Sequence, residues 1–440
     1  MKMKFITTIF LHLATAAIVA AQGVDFSTLT PTNHQIAFPD GTTAAYKAYE
    51  RIRYIDNAID TNSQCISIFV PNDAKPDAPI ILKTYTTDFR SATPQRPSPK
   101  DETGIALRNG IIVCIAGCRG HNSMQISTIE VQTKGKKKKK KKSSTETDVA
   151  YCGKLPAPLI DLKAAVRYLR AYDSYIPGSS EKIIATGCMA GGGLAALLGA
   201  TADNPFFEPM LNEIGAAKSS DKVFAVACFA PLTDPSNASK SGEFLMENRG
   251  DYARHIDSLT LLIPESETPL LSKNYRKYLK DIMFESVREA LSNHIIIDED
   301  MGPDYYSDTR DPDDLSEYIV NFDIDRYIAA LRPLAPKSGF KQYFNTLATK
   351  AYGDRTAKDY PLIIRQMNIA THLNSPTPST PKKWLIRHDA FDASVPITES
   401  ITLYTMLSNA GIDVDFQVPW YGKYDYSEIV KWILGFIRIQ

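Results

Sequence analysis

The strongest constraint on the fold of this 440-residue chain is one stretch, Lys182-Ile183-Ile184-Ala185-Thr186-Gly187-Cys188-Met189-Ala190-Gly191-Gly192-Gly193-Leu194-Ala195-Ala196-Leu197-Leu198. A short β-branched apolar run enters a glycine-rich corner and leaves as an Ala/Leu segment, so the stretch predicts strand, tight turn, helix. Gly187 and Gly191 stand two residues on either side of Met189. Glycines at that spacing let the backbone turn sharply and lift the middle side chain above the carboxyl edge of a sheet, where a serine can serve as nucleophile. A thioether has no proton to lose and cannot do that work. The frame for nucleophilic chemistry is therefore present without its central atom.

Composition bounds the remaining possibilities. Fifty Lys and Arg balance fifty Asp and Glu, which argues against nucleic-acid binding by the whole surface, and 44% hydrophobic residues suffice for a large core. Met1-Lys2-Met3-Lys4, the apolar run over residues 5–18 and Val19-Ala20-Ala21 have the charged, apolar and small-residue regions of a secretory signal. Cleavage is expected after Ala21, and the mature chain is expected to be secreted or periplasmic. No later run of eighteen apolar residues exists, so no membrane span is expected. Six cysteines (Cys65, Cys114, Cys118, Cys152, Cys188, Cys228) match no zinc spacing, and neither a metal nor a cofactor is implied. Several of them sit in apolar strand-like runs, which favours small buried thiols, although export would permit disulfides.

Along the chain, residues 65–71, 79–85 and 110–116 read as strands, the last running into Gly117-Cys118-Arg119-Gly120. Lys134-Gly135 and seven lysines over residues 136–142 follow; such a block repels itself, so residues 134–148 are expected to be a disordered, solvated insertion. Residues 158–172 carry a helical stripe (Leu159, Leu162, Ala165, Val166, Leu169, Tyr172), and residues 223–229 are another short buried-strand run. This alternation predicts an α/β fold with a doubly wound, mostly parallel sheet. The pattern then changes. Residues 271–291 form a long amphipathic helix and a second is expected over residues 315–331, so residues 239–345 read as an inserted helical cap. Its acidic middle lacks the glycine and closing glutamate of a calcium loop and reads as a solvated face. The sheet pattern resumes over residues 383–392 and 414–420, with helices over 396–409 and 426–439. The core is accordingly split between residues 22–238 and 346–440.

Several segments together resemble the bacterial tannase and feruloyl-esterase-like (BD-FAE-like) branch of the α/β-hydrolases. They are Asp161-Leu162-Lys163-Ala164-Ala165-Val166-Arg167-Tyr168-Leu169-Arg170, Ile176-Pro177-Gly178, residues 186–200, Trp384-Leu385-Ile386-Arg387-His388, and Val414-Asp415-Phe416 with Pro419-Trp420. The resemblance covers most of the chain outside the lysine insertion and is weakest in the cap. It implies an α/β-hydrolase fold with the nucleophile position at Met189 and the acid at Asp392. It also implies oxyanion-hole N–H donors at Ala190 and in the loop around Cys118. The triad histidine would fall after Trp420, yet Tyr421-Gly422-Lys423-Tyr424-Asp425-Tyr426 contains none. A second carboxylate that helps hold galloyl hydroxyls in tannase-like proteins falls at Ser394.

Substitutes are poor. Cys188 is one place too early in the corner, His388 and His372 read as satisfied structural histidines, and His121, just after the glycine loop, makes no triad without a nucleophile. Loss of serine or histidine from a triad removes about a million-fold in turnover. The expectation is a secreted pseudo-esterase that takes a small ester, phenolic or glycan-linked ligand beneath its cap. Two alternatives stay open: an active carboxylic-ester hydrolase with a displaced nucleophile or histidine, and a surface-interaction protein working through the lysine run and the acidic cap.

Overall fold

A computed structural model describes residues 23–133, 142–247, 251–305, 319–353 and 357–437. The signal-like segment lies outside them, as do residues 134–141 of the lysine run. The strands, numbered in chain order, are β1 (Thr32–Ala37), β2 (Thr43–Arg53), β3 (Cys65–Pro71), β4 (Ile80–Lys83), β5 (Ile112–Ala116), β6 (Met124–Thr133) and β7 (Lys142–Tyr151). They continue as β8 (Ile183–Cys188), β9 (Ala225–Phe229), β10 (Pro303–Tyr305), β11 (Ile319–Phe322), β12 (Lys383–Arg387) and β13 (Asp413–Gln417). Helices of the core are α1 (Glu102–Arg108), α2 (Ala157–Ala171), α3 (Ala190–Ala200) and α4 (Glu208–Glu213). Between β9 and β12 come α5 (Ala238–Glu247), α6 (Asp251–Leu259), α7 (Ser272–Ser292), α8 (Ile324–Leu331), α9 (Gly339–Tyr352), α10 (Tyr360–Gln366) and α11 (Ala370–Leu373). The chain closes with α12 (Ile397–Asn409) and α13 (Ser427–Ile437).

Nine strands make one sheet in the order β1-β2-β3-β5-β4-β8-β9-β12-β13. The first three and the β3–β5 pair are antiparallel; every pair from β5 onward is parallel. The β4, β5 and β9 runs are buried along their whole length, as a parallel sheet covered on both faces requires. Strand alternation divides the interior in two. Ile81, Val113, Ile184, Ala227 and Leu385 pack with Leu107 of α1 and Ile433 of α13 on one face. Leu82, Cys114, Ala185, Val226 and Ile386 pack with residues of α2, α3 and α12 on the other.

The charges of the segment starting at Asp161 have a structural use. Asp161 accepts hydrogen bonds from Arg119 (backbone N at 2.7 Å, Nη2 at 2.8 Å) and from Gln64 at 2.9 Å. Two residues on, the fully buried Lys163 ammonium meets Asp221 at 2.7 Å, and Arg167 meets the same carboxylate at 2.9 Å. Removing one partner of such a buried pair leaves an uncompensated charge, which costs about 3–5 kcal/mol.

Several sequence expectations change. Residues 142–148 pair with β6 as the strand β7, so the ladder's hydrogen bonds replace the expected disorder there. Within the helix expected over residues 315–331, residues 315–318 lie outside the described residues, Ile319–Phe322 is instead β11, paired with β10, and α8 begins only at Ile324, where the Asp323 carboxylate accepts from the N–H groups of Asp325 and Arg326. The cap reaches past residue 345, since α9, α10 and α11 precede the return of the sheet at Lys383.

Cap and core meet along α12 and the turn after β12. Thr398 Oγ1 lies 2.8 Å from Ser241 Oγ of α5, Tyr278 of α7 reaches Thr405 at 3.0 Å, and Tyr327 of α8 donates to the Ala390 carbonyl at 2.8 Å. Beneath that seam Glu399 accepts from Thr233 Oγ1 at 2.8 Å and from the Asp234 N–H at 3.2 Å. Burial, reinforced by Asp234, pushes the Glu399 carboxyl up to about 7. A carboxyl raised above its unfolded value of about 4.3 costs stability progressively as pH rises from there towards the folded value. Glu399→Gln is therefore expected to gain stability relative to the native chain, by roughly 3 kcal/mol, between pH 5 and pH 8. Urea unfolding at the two pH values checks this. A methyl group at Gly193 would stand 1.9 Å from the Leu232 carbonyl oxygen. Gly193→Ala is accordingly expected to lose at least about 1–3 kcal/mol in the same measurement.

Candidate functional site

The corner between β8 and α3 is built on one strained residue. Met189 has φ 53° and ψ −119°, a conformation that costs a non-glycine residue on the order of 1 kcal/mol or more. Three hydrogen bonds hold it: its N–H donates to Phe229 O at 2.9 Å, and its carbonyl accepts from Gly193 N at 2.9 Å and Leu232 N at 3.0 Å. Gly187 permits the fold-back, because a Cβ there would lie 2.4 Å from the Gly191 carbonyl carbon. The Met189 side chain is half-buried against the apolar core of the cap-side face. Ala190 occupies the first position of α3, where a helix leaves its N–H without an intrahelical acceptor.

Cys188 faces the other way, into the layer shared with α1 and α13. Burial, and after it the Asp392 carboxylate, pushes its thiol up to about 11, with the Tyr426 hydroxyl beside it. A thiol that stays protonated is a poor nucleophile. None of the six cysteines is bonded to another, and Cys65, Cys114, Cys118 and Cys228 are buried as expected. Among the described residues no cluster of side chains could hold a metal ion.

The Cys118 expectation requires correction. Its N–H donates to Ala92 O at 3.1 Å in a short bridge, and its sulfur is enclosed near Thr84 Oγ1. The reason is topological. β8 lies between β4 and β9, while β5, whose loop carries Cys118, lies one strand beyond β4. The loop against the corner is the one that leaves β4: a Cβ at Gly191 would meet Thr84 O at 3.2 Å and Thr86 O at 3.5 Å.

Asp392 stands in the turn after β12. One carboxylate oxygen accepts from the Ser394 N–H at 2.9 Å and from the Ser394 hydroxyl, and the other accepts from the Tyr424 hydroxyl at 2.6 Å. Burial acts to raise this carboxyl, but nearby His388 and the Ser394 and Tyr424 donors outweigh it and hold it below the usual aspartate range. The loop without a histidine supplies Tyr424 instead, one of three tyrosines within the six residues 421–426. Its ring packs edge-on to Phe229, with centroids 5.4 Å apart. Burial, then the Asp392 charge, pushes its hydroxyl far up, so it stays a neutral donor. A phenol held in that state cannot accept a proton as a triad imidazole does.

The two candidate histidines of this half of the chain are otherwise engaged. His388 is fully buried, with Nδ1 2.8 Å from Ser400 Oγ and Nε2 3.2 Å from the backbone oxygen of Asp392. His372 Nε2 lies 2.9 Å from Gln366 O. Both are satisfied structural histidines, and burial lowers both. Beside the acid, Asp389 accepts from Phe391 N at 2.9 Å and Tyr421 N at 3.2 Å, and burial raises it to about 6.

Tyr424→Phe is expected to cost about 1.5–3 kcal/mol at pH 7, the range for a hydrogen bond to a charged group. Asp392 is depressed in the folded state, so its contribution is present above the unfolded value of about 3.9 and is lost as pH falls through the folded value. The gap between native chain and variant should thus narrow below about pH 4, as read by unfolding free energies along a pH series.

A model of the family described as BD-FAE matches residues 130–262. In three dimensions the chain is similar to a tannase from Lactobacillus plantarum, at 20% identity and a TM-score of 0.75, over 92% of this chain and 97% of that one. The tannase of Fusobacterium nucleatum is similar at 24% identity and a TM-score of 0.70, over 92% and 98%. A tannin acyl hydrolase in complex with ethyl gallate is similar at 21% identity and a TM-score of 0.75, over 94% and 98%. Compared by sequence with curated proteins, the chain has no match. The protein has the α/β-hydrolase fold of these tannases.

Proposed function

We propose that this protein is an exported pseudo-esterase: an α/β-hydrolase fold that keeps a tannase-like frame and binds a small phenolic or ester ligand without cleaving it. The observation that carries the reading is the hydrogen bond from Tyr424 to Asp392. It places a neutral donor on the acid where hydrolysis needs a base. The other support is Met189, which occupies the corner where a hydroxyl nucleophile would stand. An acid position and an Ala190 N–H are what remain of the machinery. Without nucleophile and base, residual oxyanion stabilisation and binding give only about a thousand-fold or somewhat more over water.

The class of ligand is suggested by similar proteins, one of them a tannin acyl hydrolase in complex with ethyl gallate and another in complex with 3,4-dihydroxybenzoate. Export is inferred from the charged, apolar and small-residue order of residues 1–21.

Purified protein is expected to hydrolyse p-nitrophenyl acetate, methyl ferulate and methyl gallate no faster than buffer. It is also expected to remain unlabelled by a fluorophosphonate and by a thiol-directed probe under native conditions. Ester turnover that a Met189→Ala or Asp392→Asn substitution abolishes would overturn the proposal. Probe labelling lost in Cys188→Ala would favour a displaced thiol instead.

A further inference from the structure

A cleft of about 170 Å³ opens between the loop leaving β4 and the cap helix α9, lined among others by Asp88, Arg90, His121, Tyr343, Leu347 and Lys350. The two sides are tied together by Tyr343 of α9, which donates to Asp88 at 2.7 Å, and the His121 N–H, from the loop after β5, braces the β4 loop by donating to Phe89 O at 2.9 Å. The loop holds its shape at some expense, since Asp88 and Phe89 have φ of 52° and 55° and the Phe89 side chain is buried. Cations dominate the opening. Arg90 and Lys350 are exposed, and neither makes an ion pair among the described residues. Among the described lining residues the one carboxylate, Asp88, already has one oxygen taken by Tyr343. His121 is half-buried, and burial followed by the Arg90 and Lys350 charges lowers it, so it is neutral near pH 7.

We propose that this cleft binds the carboxylate of a small organic acid, with Arg90 and Lys350 on the anion and Tyr343 and Leu347 against its apolar part. Two cations face one carboxylate, so a monoanion neutralises the site. Guanidinium offers planar paired donors that match a carboxylate, while the flexible ammonium supplies a point charge from the cap side. At about 170 Å³ the cleft is smaller than the roughly 300–1,000 Å³ of drug-sized sites, which points to a compact acid. Neither the elbow nor Asp392 contributes, and the inference does not depend on whether esters are cleaved.

Isothermal titration of the full chain at low ionic strength with sodium benzoate, methyl benzoate and inorganic phosphate tests the proposal. Benzoate is expected to bind and methyl benzoate is not, with affinity falling as salt is added. Arg90→Ala and Lys350→Ala should each weaken benzoate about threefold or more and together about tenfold or more, as exposed charge contacts do. Because both side chains are exposed, the melting temperature of each variant should be unchanged, which separates lost binding from lost fold. Absence of benzoate binding, equal binding of the methyl ester, or full affinity in the double variant would overturn the proposal, as would phosphate binding more tightly than benzoate. Acid released from methyl benzoate would instead count against the pseudo-esterase reading and leave the cleft assignment standing.

Discussion

The close approach of α3 to the end of β8 is the constraint on which the rest of the structure depends. A helix can leave a strand this abruptly only if the backbone passes through a left-handed residue and the flanking positions carry no side chain to obstruct it. Gly187 lies against Gly191, Gly193 lies against the Leu232 carbonyl, and Met189 accepts the strain between them. The bonds from Met189 to Phe229 and Leu232 then fix the ends of β8 and β9 relative to each other. The chemistry of the central side chain plays no part in these contacts. A methionine can therefore stand there while the corner stays intact.

The same separation of architecture from chemistry recurs around the acid. Asp392 is depressed, fully bonded and placed beyond the end of β12, features that would suit it to orient an imidazole. Tyr424 donates to its second oxygen, so the carboxylate is satisfied. A buried carboxylate with an empty side would be costly, and the phenol removes that cost. Serine at position 394 acts on the same carboxylate, adding two further donors.

Buried polar groups do much to join the parts. Asp161 clamps α2 to the loop after β5, Asp221 gathers Lys163 and Arg167, and Glu399 sits under the seam between α12 and the cap. Each lies in a segment whose composition looks like surface and whose environment is interior. The charged residues of the stretch starting at Asp161 thus belong to the framework that positions the sheet, and the cationic cleft by Arg90 is where charge is left facing outward.

Local pattern determined a large part of this protein. The glycine spacing and β-branched run defined the corner, the apolar stripes defined α2 and α7 to within a residue or two, and Met189 was identifiable as a residue unable to act as a nucleophile. These follow from short-range sterics and from periods of 3.6 and 2 that the sequence displays directly. Strand order was decided only in three dimensions. Because β4 lies between β5 and β8, the loop from Thr84 faces the corner while the Cys118 N–H is spent on Ala92. Tertiary structure also chose Tyr424 as the partner of Asp392, across 32 residues, and brought Arg90, His121 and Lys350 to one cleft. Such pairings depend on which chain segments are brought together by burying the whole sheet, and no local period in the sequence records that.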